Sequence, residues 1–184
     1  MIRTLFLTAL AAVAPVAHAA TPALMPMPAK METAAGRLAI DGSFGVTVTP
    51  AGDQFPASGA PAAALDDGRL KRAVEHFLSR VARQTGIFFP HSAKTATLQI
   101  QCAPCIVPVP SLEEDESYQL DVAADGARLQ ATTPDGVIYG LETFLQLIQP
   151  GSDGFYVPAV HIEDRPRFAW RGLMIDASDR KSVV

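Results

Sequence analysis

Alternating hydrophobic and polar residues define six short segments of the chain. This period of two is typical of β-strands that bury one face. An Asp-Gly pair at 41–42 predicts a strand pair or a strand–turn–strand unit, and a second Asp-Gly pair at 125–126 predicts a β-hairpin. The six segments are Arg37–Asp41, Phe44–Thr49, Thr95–Gln101, Ser117–Val122, Ala127–Thr132 and Tyr156–Ile162.

Two longer segments place apolar residues three and four positions apart, which predicts amphipathic helices. In the first helix, Asp66 or Asp67 can cap the N-terminus and Gly86 ends the helix. Its apolar face consists of Leu70, Val74, Phe77, Leu78 and Val81.

The second helix has a wider apolar face, so we expect it to be buried against a sheet. Thr133 is suited to the N-cap and Pro134 to the first turn, and Pro150-Gly151 stops the helix. Its apolar face consists of Val137, Ile138, Leu141, Phe144, Leu145 and Ile148.

The resulting order, β-β-α-β-β-β-α-β, predicts an α+β domain over residues 21–162. We expect an antiparallel-rich sheet with the two helices on one face. The chain changes character in residues 163–178, where a charged, proline-broken stretch precedes the apolar run Leu173–Ile175, which ends at Asp176. A short apolar run that ends at a carboxylate fits a buried strand with a polar group at its C-terminal end.

A strand of this kind is the type that forms a (β/α)₈ barrel, where the C-terminal ends of the strands carry the active site. A complete barrel needs roughly 250 residues, and the whole chain has 184. We therefore expect only the first strand of a truncated (β/α)₈ barrel.

The first twenty residues have the features of a secretory signal peptide. Arg3 supplies a positive charge, Leu5–Val16 is apolar, and Ala17-His18-Ala19 fits a cleavage site. The apolar run is shorter than the roughly 20 residues of a membrane span, and a buried N-terminal helix is the weaker alternative. We expect an exported protein, periplasmic or secreted, with no membrane span in the mature chain.

Charge and composition exclude one class of partner. The net charge is −4, and no basic cluster is interleaved with aromatic residues, so we expect no nucleic-acid binding. Four carboxylates lie in succession at Glu113–Glu116, which we interpret as a solvated acidic loop, with a calcium site as the minor alternative.

The only cysteines, Cys102 and Cys105, form a Cys-Ala-Pro-Cys motif. The prolines that follow exclude the helix of a thioredoxin-like motif, and no further ligands for a zinc site lie nearby. A local disulfide is the favoured interpretation in an oxidising compartment, ahead of two free thiols. We expect no metal site and no cofactor.

Four segments carry a more specific signal: Leu-Met-Pro-Met-Pro-Ala at 24–29, Asp-Glu-Ser-Tyr-Gln-Leu at 115–120, the stretch Thr133–Leu147, and Arg-Pro-Arg-Phe-Ala-Trp-Arg-Gly-Leu-Met-Ile-Asp at 165–176. In this order they resemble the N-terminal part of exported β-N-acetylhexosaminidases of glycoside hydrolase family 20. The resemblance implies a non-catalytic α+β domain at 21–162, followed by the start of a (β/α)₈ catalytic barrel at 163–178.

The resemblance also implies an activity: removal of terminal β-linked N-acetylhexosamines from oligosaccharides, with retention. In this family the substrate's 2-acetamido oxygen is the nucleophile, and an adjacent Asp-Glu pair stabilises it and protonates the leaving oxygen. That pair lies further along the barrel, so this chain contains no catalytic residue and we expect it to be inactive. The Asp115-Glu116 dipeptide precedes the first barrel strand and cannot be the pair.

One residue matches a functional position of the family. Arg171 corresponds to the arginine that binds sugar hydroxyls, and a guanidinium fork suits vicinal hydroxyls. The alternative for Arg171 is a buried ion pair with Asp176 or with another barrel carboxylate. We expect Asp176 to brace the neighbouring residues and Trp170 to pack between the domain and the barrel.

The end of the chain departs from the family after Ser178. Read back into codons, residues 179–184 match a common sequencing adapter, so we expect an artefactual tail on a truncated gene. Two alternatives are an exported carbohydrate-binding or interaction domain without activity, and a different hydrolase family with a similar domain before its barrel, such as α-glucuronidases or O-GlcNAc-type hexosaminidases.

Overall fold

The computed structural model describes residues 22–50, 68–89, 96–103, 105 and 112–172. The predicted signal peptide, the strand at 173–175, Asp176 and the tail at 179–184 lie outside the described residues. Two helices and seven strands are present in this part of the chain. They are β1 (Lys30–Ile40), β2 (Val46–Pro50), α1 (Arg69–Thr85), β3 (Leu98–Cys102), β4 (Tyr118–Ala123), β5 (Gly126–Ala131), α2 (Pro134–Leu147), β6 (Gln149–Gly151) and β7 (Gly154–Asp164).

The strands form one mixed sheet in the order β1-β7-β4-β5-β3-β2, with the short β6 paired to β7. The β1–β7, β7–β4, β4–β5 and β6–β7 pairs are antiparallel. The β5–β3 and β3–β2 pairs are parallel. The α+β class and the antiparallel-rich sheet are therefore as predicted.

The first two strands form the predicted strand–turn–strand succession, but the alternative of a strand pair is wrong. β1 and β2 lie at opposite edges of the sheet, where β1 pairs with β7 and β2 pairs with β3. The Asp41-Gly42 turn between them is not a hairpin: the carboxylate of Asp41 accepts a hydrogen bond from the Ser43 backbone at 2.8 Å, and the chain leaves for the far edge. The hairpin of β4 and β5, by contrast, forms at the predicted turn, with Ala123 opposite Gly126.

One row of apolar side chains crosses the centre of the sheet. Ile100, Leu129, Leu120 and Ile162 are consecutive cross-strand neighbours on β3, β5, β4 and β7. All four are fully buried. At about 25 cal/mol for each Å² of apolar surface removed from water, such a row is a main source of the sheet's stability.

The two helices contact each other, and their apolar faces join the buried residues of the sheet in one core. Both helices therefore cover the same face of the sheet, as expected. Phe44, Phe77 and Phe144 connect the start of β2 with α1 and α2 through ring contacts of 5.7 to 6.4 Å. On the outside of the helix pair, Arg80 forms an ion pair with Glu142.

The N-terminal end of α2 and the C-terminal end of α1 are as predicted. Thr133 caps α2 by accepting a hydrogen bond from the Gly136 backbone at 3.2 Å, and Gly86 ends α1 in the left-handed conformation. The N-cap of α1 is Gly68, with no side-chain cap; the predicted caps Asp66 and Asp67 lie outside the described residues. Pro150 and Gly151 do not merely stop α2 but form β6.

Close contact with the sheet explains two glycines of α2. A Cβ atom on Gly136 would lie 2.5 Å from the Ser117 carbonyl oxygen, and one on Gly140 would lie 2.3 Å from Leu129 Cδ1. Real side chains do not approach this closely, so only glycine allows the helix to lie at this distance from β4 and β5.

The opposite face of the sheet is polar. His161 on β7 lies 2.5 Å from Asp121 of β4 through Nδ1 and 2.9 Å from Glu163 through Nε2. On the β1 side, Glu32 is the cross-strand neighbour of His161, and Lys30 binds Glu163 at 3.2 Å. Hydrogen bonds to Asp121 and Glu163 raise the pKa of His161, because the charged imidazolium can donate from both nitrogens.

The Gly136 contact makes a stability prediction. Gly136→Ala should lower the free energy of unfolding by about 1–3 kcal/mol, because the methyl group must displace a backbone carbonyl. This outweighs the roughly 1 kcal/mol by which alanine is favoured over glycine within a helix. Urea unfolding followed by circular dichroism would measure the change.

The matched control is Gly42→Ala, in an exposed turn where no atom lies within 4 Å of the added Cβ. We expect this change to alter stability by less than about 0.5 kcal/mol. Equal effects at Gly136 and Gly42 would show that α2 is not held against the Ser117 carbonyl.

The His161 cluster predicts a pH dependence of stability. Because folding raises the pKa of His161, its contribution is complete below the ordinary histidine value of about 6.5 and is lost as pH rises through the folded-state pKa. The difference in unfolding free energy between the wild type and His161→Gln should therefore be larger at about pH 6 than at about pH 9.

His76→Gln is the control for the replacement of a histidine by glutamine, since His76 is exposed on α1. If His161→Gln had equal effects at both pH values, the two carboxylates would not be stabilising a protonated His161.

Candidate functional site

The predicted functional residue Arg171 lies where the chain leaves the domain, in residues 165–172, which we call the exit segment. This segment follows β7 and has no helix or strand. Phe168 and Trp170 within it are 72% and 78% exposed. Trp170 is thus not packed against the described part of the domain.

Asp164, the last residue of β7, fixes the start of the exit segment. Its Oδ1 accepts hydrogen bonds from the backbone N–H groups of Ala29 and Arg165, each at 2.9 Å. Its Oδ2 accepts one from the Tyr118 hydroxyl at 3.2 Å, and that hydroxyl lies 2.6 Å from Thr143 Oγ1. Burial raises the pKa of Tyr118, so the phenol stays protonated and remains a donor to Asp164.

Arg171 lies near the other end of the exit segment, and its side chain contacts the domain. Its Nη2 donates to Glu116 Oε2 at 2.5 Å and to the Tyr139 hydroxyl at 3.3 Å, and its Nη1 donates to the Phe168 carbonyl at 2.7 Å. The guanidinium carbon also lies over the Tyr139 ring, 5.6 Å from its centre. The hydrogen bond to Glu116 raises the pKa of Arg171, which is charged in any case.

Tyr139 closes a triangle with the ion pair. Its hydroxyl donates to Glu116 Oε1 at 3.3 Å while accepting from Arg171. Glu116 lies in the loop before β4 and Tyr139 on α2, so two elements of the domain converge on one residue of the exit segment. We call Glu116, Tyr139 and Arg171 the exit clasp.

The acidic loop is more structured than the sequence indicated. Asp115 accepts hydrogen bonds from the Ser117 backbone at 3.1 Å and from Thr132 Oγ1 at 2.8 Å, and these bonds lower the pKa of Asp115. Burial and the neighbouring Asp135 carboxylate raise the pKa of Glu114. Glu113 and Asp115 are exposed, which agrees with the predicted solvated loop, whereas Glu114 and Glu116 are half-buried.

A shallow cleft of about 600 Å³ opens beside the start of β4 and the end of β7. Its carboxylates already have partners, because Glu163 binds Lys30 and His161, and Asp164 binds Ala29, Arg165 and Tyr118. The two carboxylates of the cleft thus make contacts within the domain.

The other candidate residues of the sequence are the two cysteines and Asp176. Cys102, the last residue of β3, forms a disulfide with Cys105, and the Cys105 N–H donates to the Thr132 carbonyl at 3.0 Å. Asp176 lies outside the described residues.

In the part of the chain that the structure describes, no group of three or more His, Cys, Asp or Glu side chains is arranged to hold a metal ion. Neither α1 nor α2, the helices of that same part, has the length and hydropathy of a membrane span.

Glu116 and Tyr139 were not predicted as site residues from the sequence. Both lie in segments that carry the family resemblance, Asp115–Leu120 and Thr133–Leu147, and that was the available signal. Their convergence on Arg171 depends on tertiary structure, since Glu116 is 55 positions away from Arg171 in the chain.

The comparisons with known proteins agree with this fold. Residues 21–165 match the family model described as glycosyl hydrolase family 20, domain 2. The structure is similar to the X-ray structure of Flavobacterium johnsoniae chitobiase, with a TM-score of 0.69 and 37% sequence identity. That similarity covers 84% of this chain and 22% of the chitobiase chain.

Two curated relatives extend the comparison. The chain is 35% identical to the β-hexosaminidase subunit beta of Felis catus over 182 residues, which cover 94% of this chain and 33% of the relative. It is 29% identical to the β-hexosaminidase of Vibrio furnissii over 164 residues, which cover 89% of this chain and 23% of the relative. The chain thus spans a third or less of the length of either relative, and by the match of residues 21–165 it belongs to glycosyl hydrolase family 20.

Proposed function

We propose that this chain is the N-terminal part of an exported β-N-acetylhexosaminidase that removes terminal β-linked N-acetylhexosamines from oligosaccharides. The observation that carries the proposal is the match of residues 21–165 to a domain of glycosyl hydrolase family 20. The relatives' names, β-hexosaminidase and chitobiase, support the substrate class. Export is supported by the signal-peptide pattern of residues 1–20.

The proposed mechanism is retaining and substrate-assisted. The oxygen of the substrate's 2-acetamido group attacks the anomeric carbon, and a carboxylic acid of the enzyme protonates the leaving oxygen. An adjacent carboxylate orients the acetamido group and stabilises the positive charge that develops on it. These two carboxylates are proposed to lie beyond the residues described here.

The Asp115-Glu116 dipeptide is unsuited to this chemistry for a physical reason. Asp115 holds Ser117 and Thr132, and Glu116 holds Arg171 and Tyr139. The Glu of the catalytic pair must donate a proton to the leaving oxygen, whereas the Glu116 carboxylate accepts hydrogen bonds from Arg171 and Tyr139. The 184-residue chain is therefore proposed to have no hydrolytic activity of its own.

Arg171 is the residue of this chain that is proposed to contact substrate. A guanidinium has five N–H donors, and the contacts seen among the described residues use three of them. The two donors that these described contacts leave are proposed to bind sugar hydroxyls. Asp176 is proposed to support the residues around Arg171 without touching the sugar.

Activity measurements test the proposal. The complete product of the gene and the 184-residue chain are each incubated with 4-nitrophenyl N-acetyl-β-glucosaminide, and nitrophenolate release is followed by absorbance. We expect turnover by the complete product and none above the blank by the 184-residue chain.

The matched substrate control is 4-nitrophenyl β-glucoside, which lacks the 2-acetamido group. A substrate-assisted enzyme has no nucleophile for this compound, so we expect no hydrolysis. Turnover by the 184-residue chain would contradict its proposed inactivity, and equal turnover of both substrates by the complete product would contradict the mechanism. Tight binding of N-acetylglucosamine oligomers without turnover by the complete product would favour a carbohydrate-binding domain.

A further inference from the structure

We propose that the polar face of the sheet binds chains of β-linked N-acetylhexosamine. The choice of ligand rests on the proposed function, because such chains are the proposed substrate class. The location of the site rests on the side chains that this face presents to solvent. The proposed role is binding without cleavage.

Two rows of polar side chains form this face, and each row crosses β3, β5, β4, β7 and β1. Within a row the residues are direct cross-strand neighbours, and along each strand they lie between residues that point to the helix-covered face. The first row consists of Gln101, Gln130, Gln119, Glu163 and Lys30. The second row, two positions away on each strand, consists of Gln99, Arg128, Asp121, His161 and Glu32.

Glutamine amides occupy the middle of the face and match the acetamido groups of such a chain. Each amide has N–H donors and a carbonyl oxygen, so it can pair with both the N–H and the C=O of an acetamido group. Gln101, Gln130 and Gln119 are consecutive cross-strand neighbours on β3, β5 and β4. Three neighbouring amides therefore form a surface that suits a ligand with repeated amide groups.

Hydrogen bonds within the face hold these amides in place. Gln130 donates to Gln101 Oε1 at 2.6 Å, and Gln119 donates to Asp121 Oδ2 at 3.0 Å. Each of these bonds uses one of the two N–H groups of its donor. Asp121 also lies 2.5 Å from His161, so it connects the two rows. Because the side chains are already ordered, a ligand that binds to them loses less of its binding energy to side-chain entropy.

The charges of the face balance, which favours an uncharged ligand. Three groups are cationic when His161 is protonated, and three groups are anionic. They are Lys30, Arg128 and His161 on the one side and Glu32, Asp121 and Glu163 on the other. A polyanion or a polycation gains no long-range attraction from such a surface, whereas a neutral glycan needs none.

Two clefts follow one another along β4 on this face. The shallow cleft of about 600 Å³ beside the start of β4 is lined by Gln119 and Gln130 of the first row. A second cleft, of about 450 Å³, is lined by Asp121 and Arg128 of the second row. The six residues of β4 extend over about 17 Å. An extended glycan that lies along β4 can therefore contact both clefts.

Calorimetric titration of the 184-residue chain with chitohexaose, a soluble oligomer of β-linked N-acetylglucosamine, tests the proposal. We expect binding in the wild type. The double variant Gln119→Ala/Gln130→Ala should weaken binding roughly 10-fold, because each lost hydrogen bond typically changes an affinity by a factor of about 2 to 10. Absence of chitohexaose binding by the wild type would overturn the proposal, and so would an unchanged affinity in the double variant.

Gln84→Ala is the matched control variant. Gln84 is exposed on α1, which covers the other face of the sheet. This change should alter the affinity for chitohexaose by less than about twofold. Circular dichroism shows whether each variant remains folded. An equal loss of affinity in Gln84→Ala and in the double variant would show that the polar face is not the binding site.

Cellohexaose is the matched control ligand, since it has a hydroxyl in place of each acetamido group. We expect cellohexaose to bind at least about fivefold more weakly than chitohexaose, because it cannot pair with the glutamine amides. Equal binding of the two oligomers would contradict the assignment to N-acetylhexosamine chains. Tighter binding of dextran sulfate, a polyanion, would contradict it as well.

Nuclear magnetic resonance locates the ligand on the wild-type chain and does not depend on the folding of variants. The side-chain amide signals of Gln119 and Gln130 should shift when chitohexaose is added, whereas the signal of Gln84 should not. If the signals of Gln119 and Gln130 change with protein concentration instead of with chitohexaose, the face contacts a second copy of the chain and the proposal is wrong.

These measurements separate the binding site from the proposed function. If the complete gene product hydrolyses no N-acetylhexosaminide but chitohexaose shifts the signals of Gln119 and Gln130, the proposed activity fails and the binding site is supported. If hydrolysis occurs and chitohexaose leaves these signals unchanged, the proposed activity is supported and the polar face is not a glycan-binding site.

Discussion

The close approach of α2 to the centre of the sheet is the constraint on which the rest of the structure depends. Leu129 occupies the middle of the buried row that crosses the sheet, and the space above it is filled by Gly140 rather than by a larger residue. A helix that lies this close cannot slide or rotate without a steric clash. The direction in which α2 presents its outer side chains is thereby fixed, and Tyr139 is one of these.

Two adjacent carboxylates in the loop before β4, those of Asp115 and Glu116, bind different parts of the structure. Asp115 stabilises the loop itself by accepting hydrogen bonds from Ser117 and Thr132. Glu116, the next residue, turns to the exit segment and binds Arg171. Two adjacent residues of the same charge thus connect the sheet to the exit segment, so the loop makes specific contacts although Glu113 and Asp115 are exposed.

Local patterns predicted the elements whose determinants lie close together in the sequence. The β4–β5 hairpin follows from Asp125-Gly126 between two alternating segments, and the start of α2 follows from Thr133 and Pro134. Long-range pairing was not predictable in this way. The Asp41-Gly42 turn has the same residues as the hairpin turn, but the strands on either side of it find their partners more than forty positions away.

The candidate site shows the same limit. Arg171 lies in a short motif that the sequence reveals, whereas its partners come from two other segments that only the fold brings together.

The residues after α2 are a further example. Pro150 and Gly151 predict the end of the helix, yet they also pair with Phe155 and Gly154 at the start of β7. A residue pattern indicates where a helix ends, but it does not specify what the following residues bind.

Asp164 has a consequence for the evolution of this domain. By binding both Ala29 and Arg165, it brings the point where the chain enters the sheet next to the point where the chain leaves it. A domain whose two ends meet can be joined to another protein at a single place on its surface without stretching either connection. Such a unit can be exchanged between proteins by recombination, and one carboxylate keeps its two junctions together.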